Sequence, residues 1–274
     1  VIAAPLLDPG GRPIIGHRGA SAFAPENTLA GFDLALEQGA EALELDVRVS
    51  RDGTAIVIHD PTLDRTTDRA GPVAALSDAD LDGVDAGYRF SPGGTRFPFR
   101  GGGVRIPTLR EVLERYPTIP LLVEVKAVEA APAIQAELIR AAAVDRVVVA
   151  SFMDEAVEAF RKPPFLAGAS RADIVALAGR GWLGLPAPGG KTPVCYAVPY
   201  RYRNRIEVPT RRVIRAAHRR AKAVHVWTVD DPALATSLWD RGVSGIITNR
   251  PGALVAARAG YHSSPPPPPP LPTP

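Results

Sequence analysis

Two carboxylates separated by one residue, Glu44-Leu45-Asp46, are the first chemically suggestive feature of this chain. In an extended strand, residues i and i+2 face the same side, so both acids point one way while Leu43, Leu45 and Val47 point the other. Holding two like charges together on an inward face is costly. The remedy is either a hard divalent cation, for which oxygen ligands suit magnesium or calcium better than zinc, or ion pairing to a neighbour such as Arg48. Glu124-Val125-Lys126 repeats the arrangement, with Leu122, Val123 and Val125 around two polar residues on one face. It is either a third carboxylate beside a compact cation suited to a phosphate, or a same-strand Glu/Lys pair with no ligand.

Two histidines stand where an apolar run gives way to a loop: His17, followed by Arg18-Gly19, and His59, followed by Asp60-Pro61. Imidazoles at such strand ends suit an acid/base couple, and a structural role is the alternative for each. His218 in a basic helix, His225 between Val224 and Val226, and His262 near the C-terminus are read as structural. Trp227 shares a strand face with His225 and either lines an alcohol pocket or packs as a core aromatic.

These residues need elements to bring them together. Short apolar runs recur at Ile14 to His17, Ala42 to Val49, Thr54 to His59, Leu121 to Lys126, Val147 to Phe152, Val194 to Val198, Val224 to Val229 and Gly245 to Thr248, with Leu166 to Ala169 as a ninth candidate. Amphipathic segments alternate with them, the pattern of βα units around a parallel sheet. Thr108 with Glu111 forms a capping box, and Asp231-Pro232 is a carboxylate cap before a first-turn proline. The expected architecture is therefore α/β, with catalytic groups collected at the C-terminal ends of the strands of a β/α barrel. The pattern lapses over about residues 60–106, a Gly/Pro-rich insertion after the third strand with one short helix near Ser77 to Leu81, of the length expected for a lid or substrate-binding loop. Residues 1–13 form an N-terminal extension, 14–258 the barrel domain, and 259–274 a proline-rich tail expected to be polyproline II or disordered.

Length and composition agree with one soluble α/β domain: 274 residues, 46% hydrophobic and 22% charged. The formal net charge of +3 is concentrated between Arg201 and Lys222, where Arg211, Arg215 and Arg219 recur every four residues opposite Val213, Ile214, Ala217 and Ala221. That segment is either a solvated helix face or an attractor of anionic substrates or membrane surfaces; charge confined to one segment argues against a nucleic-acid partner. Cys195 is the only cysteine, so no intramolecular disulfide can form. No apolar run approaches the roughly 18 residues of a membrane span, and residues 1–13 lack the features of a signal peptide. The expected location is cytoplasmic, with secretion after removal of a leader before Val1 as the alternative.

Taken in order, His17-Arg18-Gly19-Ala20, Pro25-Glu26-Asn27-Thr28, Glu44-Leu45-Asp46, His59-Asp60, Pro107-Thr108-Leu109, Glu124-Val125-Lys126, Val226-Trp227-Thr228-Val229 and Gly245-Ile246-Ile247-Thr248-Asn249 resemble the glycerophosphodiester phosphodiesterase family over roughly Ile14 to Pro251. The resemblance implies a (β/α)8 TIM barrel that hydrolyses glycerophosphodiesters to glycerol 3-phosphate and an alcohol. It implies Glu44, Asp46 and Glu124 as ligands of one divalent cation, Mg2+ or Ca2+. His17 and His59 take the acid/base positions, and Arg18 and Lys126 lie near the phosphate. A lysophospholipase D on the same barrel and a non-catalytic phosphodiester-binding protein are the competing expectations. The loop after His59 and the stretch from Pro163 to Thr192 fit the family least and are expected to govern which alcohol is accepted.

Overall fold

The computed structural model describes residues 3–189, 193–203 and 205–263 of the chain. Its strands are β1 (Ile14–His17), β2 (Ala42–Val49), β3 (Ala55–Val57), β4 (Leu121–Val125), β5 (Val147–Ala150), β6 (Leu166–Ala167), β7 (Cys195–Pro199), β8 (Arg201–Tyr202), β9 (Ile206–Glu207), β10 (Ala223–Trp227) and β11 (Gly245–Thr248). The helices are α1 (Ala4–Leu7), α2 (Leu29–Glu37), α3 (Asp78–Asp82), α4 (Leu109–Arg115), α5 (Ala131–Arg140), α6 (Asp154–Glu158), α7 (Arg171–Trp182), α8 (Arg211–His218), α9 (Pro232–Asp240) and α10 (Pro251–Ser263). Parallel pairing in the order β6-β5-β4-β2-β1-β11-β10-β7 makes a nearly closed eight-stranded TIM barrel. At the seam between β6 and β7, the Val194 N–H donates to the Ala167 carbonyl at 2.8 Å.

The barrel takes its eighth strand from the ninth candidate run rather than from the third. β3 pairs antiparallel with β2, Val47 opposite Val57, and lies off the barrel, whereas Leu166–Ala167 joins β5 in parallel. The reason is connection length. Only Ser50 to Thr54 separate β2 from β3, with Gly53 at φ +88° in the turn, and so short a link permits a hairpin but not a parallel crossover. The insertion after β3 builds a small core of its own from Ile58, Leu63, Val73, Leu81, Val84 and Ile106.

Side-chain alternation sorts the main core into layers. Leu43, Leu45, Val47, Leu121, Val123 and Val125 pack outward against the helices. Ile15, Ala42, Leu122, Val148, Cys195 and Ile247 fill the barrel interior. The N-terminal segment is built into that interior: Leu6 on α1 is fully buried there, and Ala3 N–H bonds to the Asp145 carbonyl at the foot of β5. His225 is buried inside the barrel and its Nε2 donates to the Leu6 carbonyl at 2.9 Å, a structural role as the sequence suggests. With the floor closed by α1, the cavity opens at the other end. α10 continues through Ser263, and residues 264–274, which carry the proline run, lie outside the described residues, as does the side chain of His262. No helix among the described residues is long and apolar enough to cross a membrane.

Candidate active site

Strand register brings the acids and the first histidine together. β1 and β2 pair His17 with Glu44, and β2 and β4 pair Asp46 with Glu124, all at the C-terminal end of the barrel. His59 arrives from the chain just beyond β3, where Ile58 N–H bonds to the Asp46 carbonyl at 3.0 Å. A cavity of about 220 Å³ is lined by His17, Arg18, Glu44, His59, Glu124, Lys126 and Trp227, with Ala169, Ile174 and Phe152 on its apolar side. All the expected site residues but Asp46 line it, and Asp46 lies fully buried just behind. Trp227 meets Phe152 edge to face at 5.7 Å between ring centroids, and the indole both lines the cavity and packs on the barrel-interior core.

The acids are tightly grouped. One oxygen from each of Glu44, Asp46 and Glu124 lies within 4.8 Å of the others. Arg18 Nε stands 3.0 Å from Asp46 Oδ2, while Lys126 Nζ is 3.1 Å from Asp46 Oδ1 and 2.7 Å from Glu124 Oε1. Arg48 is not their partner: its guanidinium donates to the carbonyls of His59 and Lys126, clamping the two loop starts. Burial pushes Glu44 well up, helped by the charges of Asp46 and Glu124. Burial likewise raises Glu124 against the pull of Lys126. Asp46 resists its own burial because Lys126 and Arg18 hold it down. Asp46 Oδ1 is buried without a hydrogen-bond partner, since Lys126 sits at ion-pair distance but outside hydrogen-bond geometry. Three inward-facing carboxylates this close together, offset by only two cations, are a set of donors that could hold a divalent cation.

Strain at the first turn is part of the arrangement. Arg18 has φ +53°, sparsely populated for a side chain of its size. Its amide donates to Glu44 Oε2 at 3.0 Å. Gly19 follows at φ +88°, and a Cβ there would come 2.4 Å from the Gly31 carbonyl carbon, so only glycine lets the turn rest on the start of α2.

Each histidine has a polar partner that fixes one ring nitrogen. Asp230 accepts from the Asn249 amide at 2.7 Å, from Asn249 Nδ2 at 2.7 Å and from the Thr248 hydroxyl at 2.8 Å. A carboxylate only accepts, so the Asn249 NH2 must face Asp230 and its Oδ1 must face His17 Nδ1, 2.7 Å away. His17 Nδ1 is therefore the donor and Nε2 carries the lone pair. Burial and then Arg18 lower the His17 pKa below the usual imidazole value, against the opposing pull of Asn249. His59 Nδ1 donates to Asp60 Oδ1 at 2.6 Å. Asp60 itself, despite partial burial, is brought down to about 2 by hydrogen bonds from Arg65 and His59. Arg65 also grips both oxygens of Glu26, which pairs with Arg18 at 2.9 Å, so one chain of charges links the two sides of the mouth.

Sequence reasoning left several of these supporting residues without a role: Asp230, Asn249, Asn27, Asp60, Glu26 and Arg65. Asn27, whose Nδ2 donates to Asp46 Oδ2 at 2.8 Å, sits in the Pro25 to Thr28 motif, and Asn249 directly follows a strand end, which were the available signals. Asp230 carries no local pattern because its partners come from another loop, and Arg65 none because, besides Asp60 in its own loop, it reaches Glu26 in another. Of the two stretches expected to govern the alcohol, the loop beyond Asp60 contributes nothing to the cavity lining, whereas Ala169 and Ile174 from the second do.

Comparison with known proteins places this arrangement among relatives. The sequence profile described as the glycerophosphoryl diester phosphodiesterase family matches residues 17–174 and 183–253. A glycerophosphodiester phosphodiesterase of Caldanaerobacter subterraneus subsp. tengcongensis is 32% identical over 249 residues, covering 88% of this chain and 96% of the relative. One of Bacillus subtilis is 30% identical over 273 residues, covering 93% and 89%. The crystal structure of a glycerophosphodiester phosphodiesterase from Agrobacterium tumefaciens superposes with a TM-score of 0.71 at 30% identity, covering 89% of this chain and 99% of that one.

Proposed function

The chain belongs to the glycerophosphoryl diester phosphodiesterase family, a family of phosphoric diester hydrolases, and from that premise we propose that it cleaves small glycerophosphodiesters to glycerol 3-phosphate and an alcohol, using His17 as base and His59 as acid at a divalent-cation site. The observation that carries this reading is the grouping of three carboxylates, two cations and two oriented imidazoles around one cavity.

Glu44, Asp46 and Glu124 would hold Mg2+ or Ca2+, which when bound offsets negative charge on the phosphate oxygens. Arg18 and Lys126 meet the same oxygens from the protein side, where burial strengthens their pull. His17 is suited to take a proton because Asp230 and Asn249 fix its tautomer, leaving the Nε2 lone pair toward the cavity, and because burial keeps the ring neutral. His59 is suited to give one by its position: its Nδ1 donates to the ionised Asp60, which fixes the ring and leaves Nε2 as the atom that serves the leaving alcohol oxygen. The apolar side formed by Phe152, Trp227 and Ile174 would receive the alcohol.

The cavity volume favours a deacylated substrate. About 220 Å³ lies below the ~300–1,000 Å³ usual for drug-sized ligands and leaves little room for an acyl chain, which argues against a lysophospholipase D. A panel of glycerophosphocholine, glycerophosphoethanolamine, glycerophosphoglycerol and a lysophospholipid tests the reading. Glycerol 3-phosphate from the first three, with the lysophospholipid turned over far more slowly, is the expected result; preference for the lysophospholipid overturns it.

A further inference from the structure

The basic stretch that the catalytic mouth leaves unused forms one side of a second groove, between the end of α7 and the flank of α8. Close helix contact makes its floor: a Cβ on Gly181 would come 2.8 Å from the Val213 Cα. One wall is apolar and open to solvent, with Trp182 73% exposed, Leu183 63% and Leu185 42%. The other wall is Arg212, Arg215 and Arg219, spaced three and four residues apart so that they share a helix face. Two hydrogen bonds hold the apolar loop in place, from Arg219 Nη1 to the Gly184 carbonyl at 2.7 Å and from Arg180 Nε to the Pro186 carbonyl at 2.6 Å. Arg212, Arg215 and Arg219 have no carboxylate within 4.0 Å among the described residues. Elsewhere on the surface Arg105, Arg110, Arg115 and Arg140 are each paired with an acid.

We propose that this groove seats the protein on the surface of an anionic phospholipid bilayer. Unpaired guanidinium groups repel one another unless an anionic partner arrives, and their planar donors match phosphate oxygens. A polyanion alone would satisfy the arginines but leave the Trp182, Leu183 and Leu185 wall in water. A headgroup layer over hydrocarbon satisfies both walls at once, with the indole at the depth such rings prefer. The placement is also compatible with turnover. Ile174 near the start of α7 lines the catalytic cavity, and Trp182 lies eight residues further, about 12 Å along the helix, so docking leaves the mouth open to water.

Vesicle co-sedimentation of the full chain provides the test, using phosphatidylcholine vesicles with and without about one third phosphatidylserine. The expected result is binding to the anionic vesicles alone, weakened by salt, and reduced about tenfold or more by Arg212→Glu with Arg215→Glu and severalfold by Trp182→Ser. All three side chains are exposed, so the variants should retain wild-type melting and wild-type hydrolysis of glycerophosphocholine in solution. Absence of binding to anionic vesicles, or binding that these variants leave unchanged, overturns the proposal. So does a wild-type dimer that Trp182→Ser converts to monomer in the absence of lipid binding, which would assign the groove to a second copy of the chain.

Discussion

Asn249 carries more of the site than its place beyond a strand end suggests. Its amide is fixed by Asp230, and it in turn fixes which nitrogen of His17 holds the proton. Asn249→Ala should lower kcat about 10–100-fold with little change in KM, because substrate binding is intact while the base is misoriented. An unchanged kcat in steady-state kinetics would show that His17 needs no such support. His17→Ala and His59→Ala should each cost at least about 10²-fold in kcat, while the thermal shift on adding Mg2+ or Ca2+ persists because all three carboxylates remain; full activity of His59→Ala would refute its acid role. The sign of the pH dependence follows from burial. A base must be unprotonated, and burial and Arg18 lower the His17 pKa, so kcat/KM should fall as pH drops through a value below about 6.5, the ordinary imidazole value. An acid limb above that value would point to another group. The acids of β2 were legible from alternation alone, but the link of Glu124 to them needed either the family resemblance or the register that sets it opposite Asp46. Asp230 was not legible, since its role exists only once two loops meet.

At the level of elements, local chemistry wrote most boundaries into the sequence. Thr108 and Glu111 form the capping box expected of them, with Glu111 Oε2 2.8 Å from the Thr108 amide. Thr108→Ala should cost about 1 kcal/mol in chemical denaturation; no measurable loss would mean that packing of Leu109, Val112 and Leu113 alone holds α4 in place. Asp231 caps α9 as anticipated, its side chain accepting from Ala233 N–H. The exchange of Thr54 to His59 for the ninth candidate as a barrel strand has an equally local cause. Thr54 to His59 has the composition of a strand and forms one in part, but the turn through Asp52 and Gly53 returns it antiparallel, so it becomes an arm that delivers His59 rather than a stave of the barrel. Leu166–Ala167, within the ninth candidate run, is only two residues long, and its place in the barrel rests on pairing with Val148 and Val149, a register that its own residues do not specify.

The molecule as a whole is a barrel closed at one end by its N-terminal helix and open at the other to the catalytic cavity. His225 ties the plug to the wall, and burial lowers its pKa to about 4. The unfolded chain then binds a proton that the native state refuses, so stability should fall as pH drops from about 6.5 and level off near 4, by about 3 kcal/mol from this group. His225→Gln, which can keep the donor to Leu6, should flatten that part of the profile of melting temperature against pH; an unchanged slope would assign the acid sensitivity elsewhere. The barrel architecture was foreseeable from alternating runs and caps, whereas the plug was not, because a four-residue helix has no period to detect. The central claim, that three carboxylates at the open end hold a cation needed for phosphodiester hydrolysis, is tested most directly by glycerol 3-phosphate release from glycerophosphocholine by chelator-treated enzyme, with Mg2+ or Ca2+ added back. Loss of release in chelator and its recovery with one of these ions is the predicted result; release at the full rate in chelator, or no release with any added ion, would contradict it.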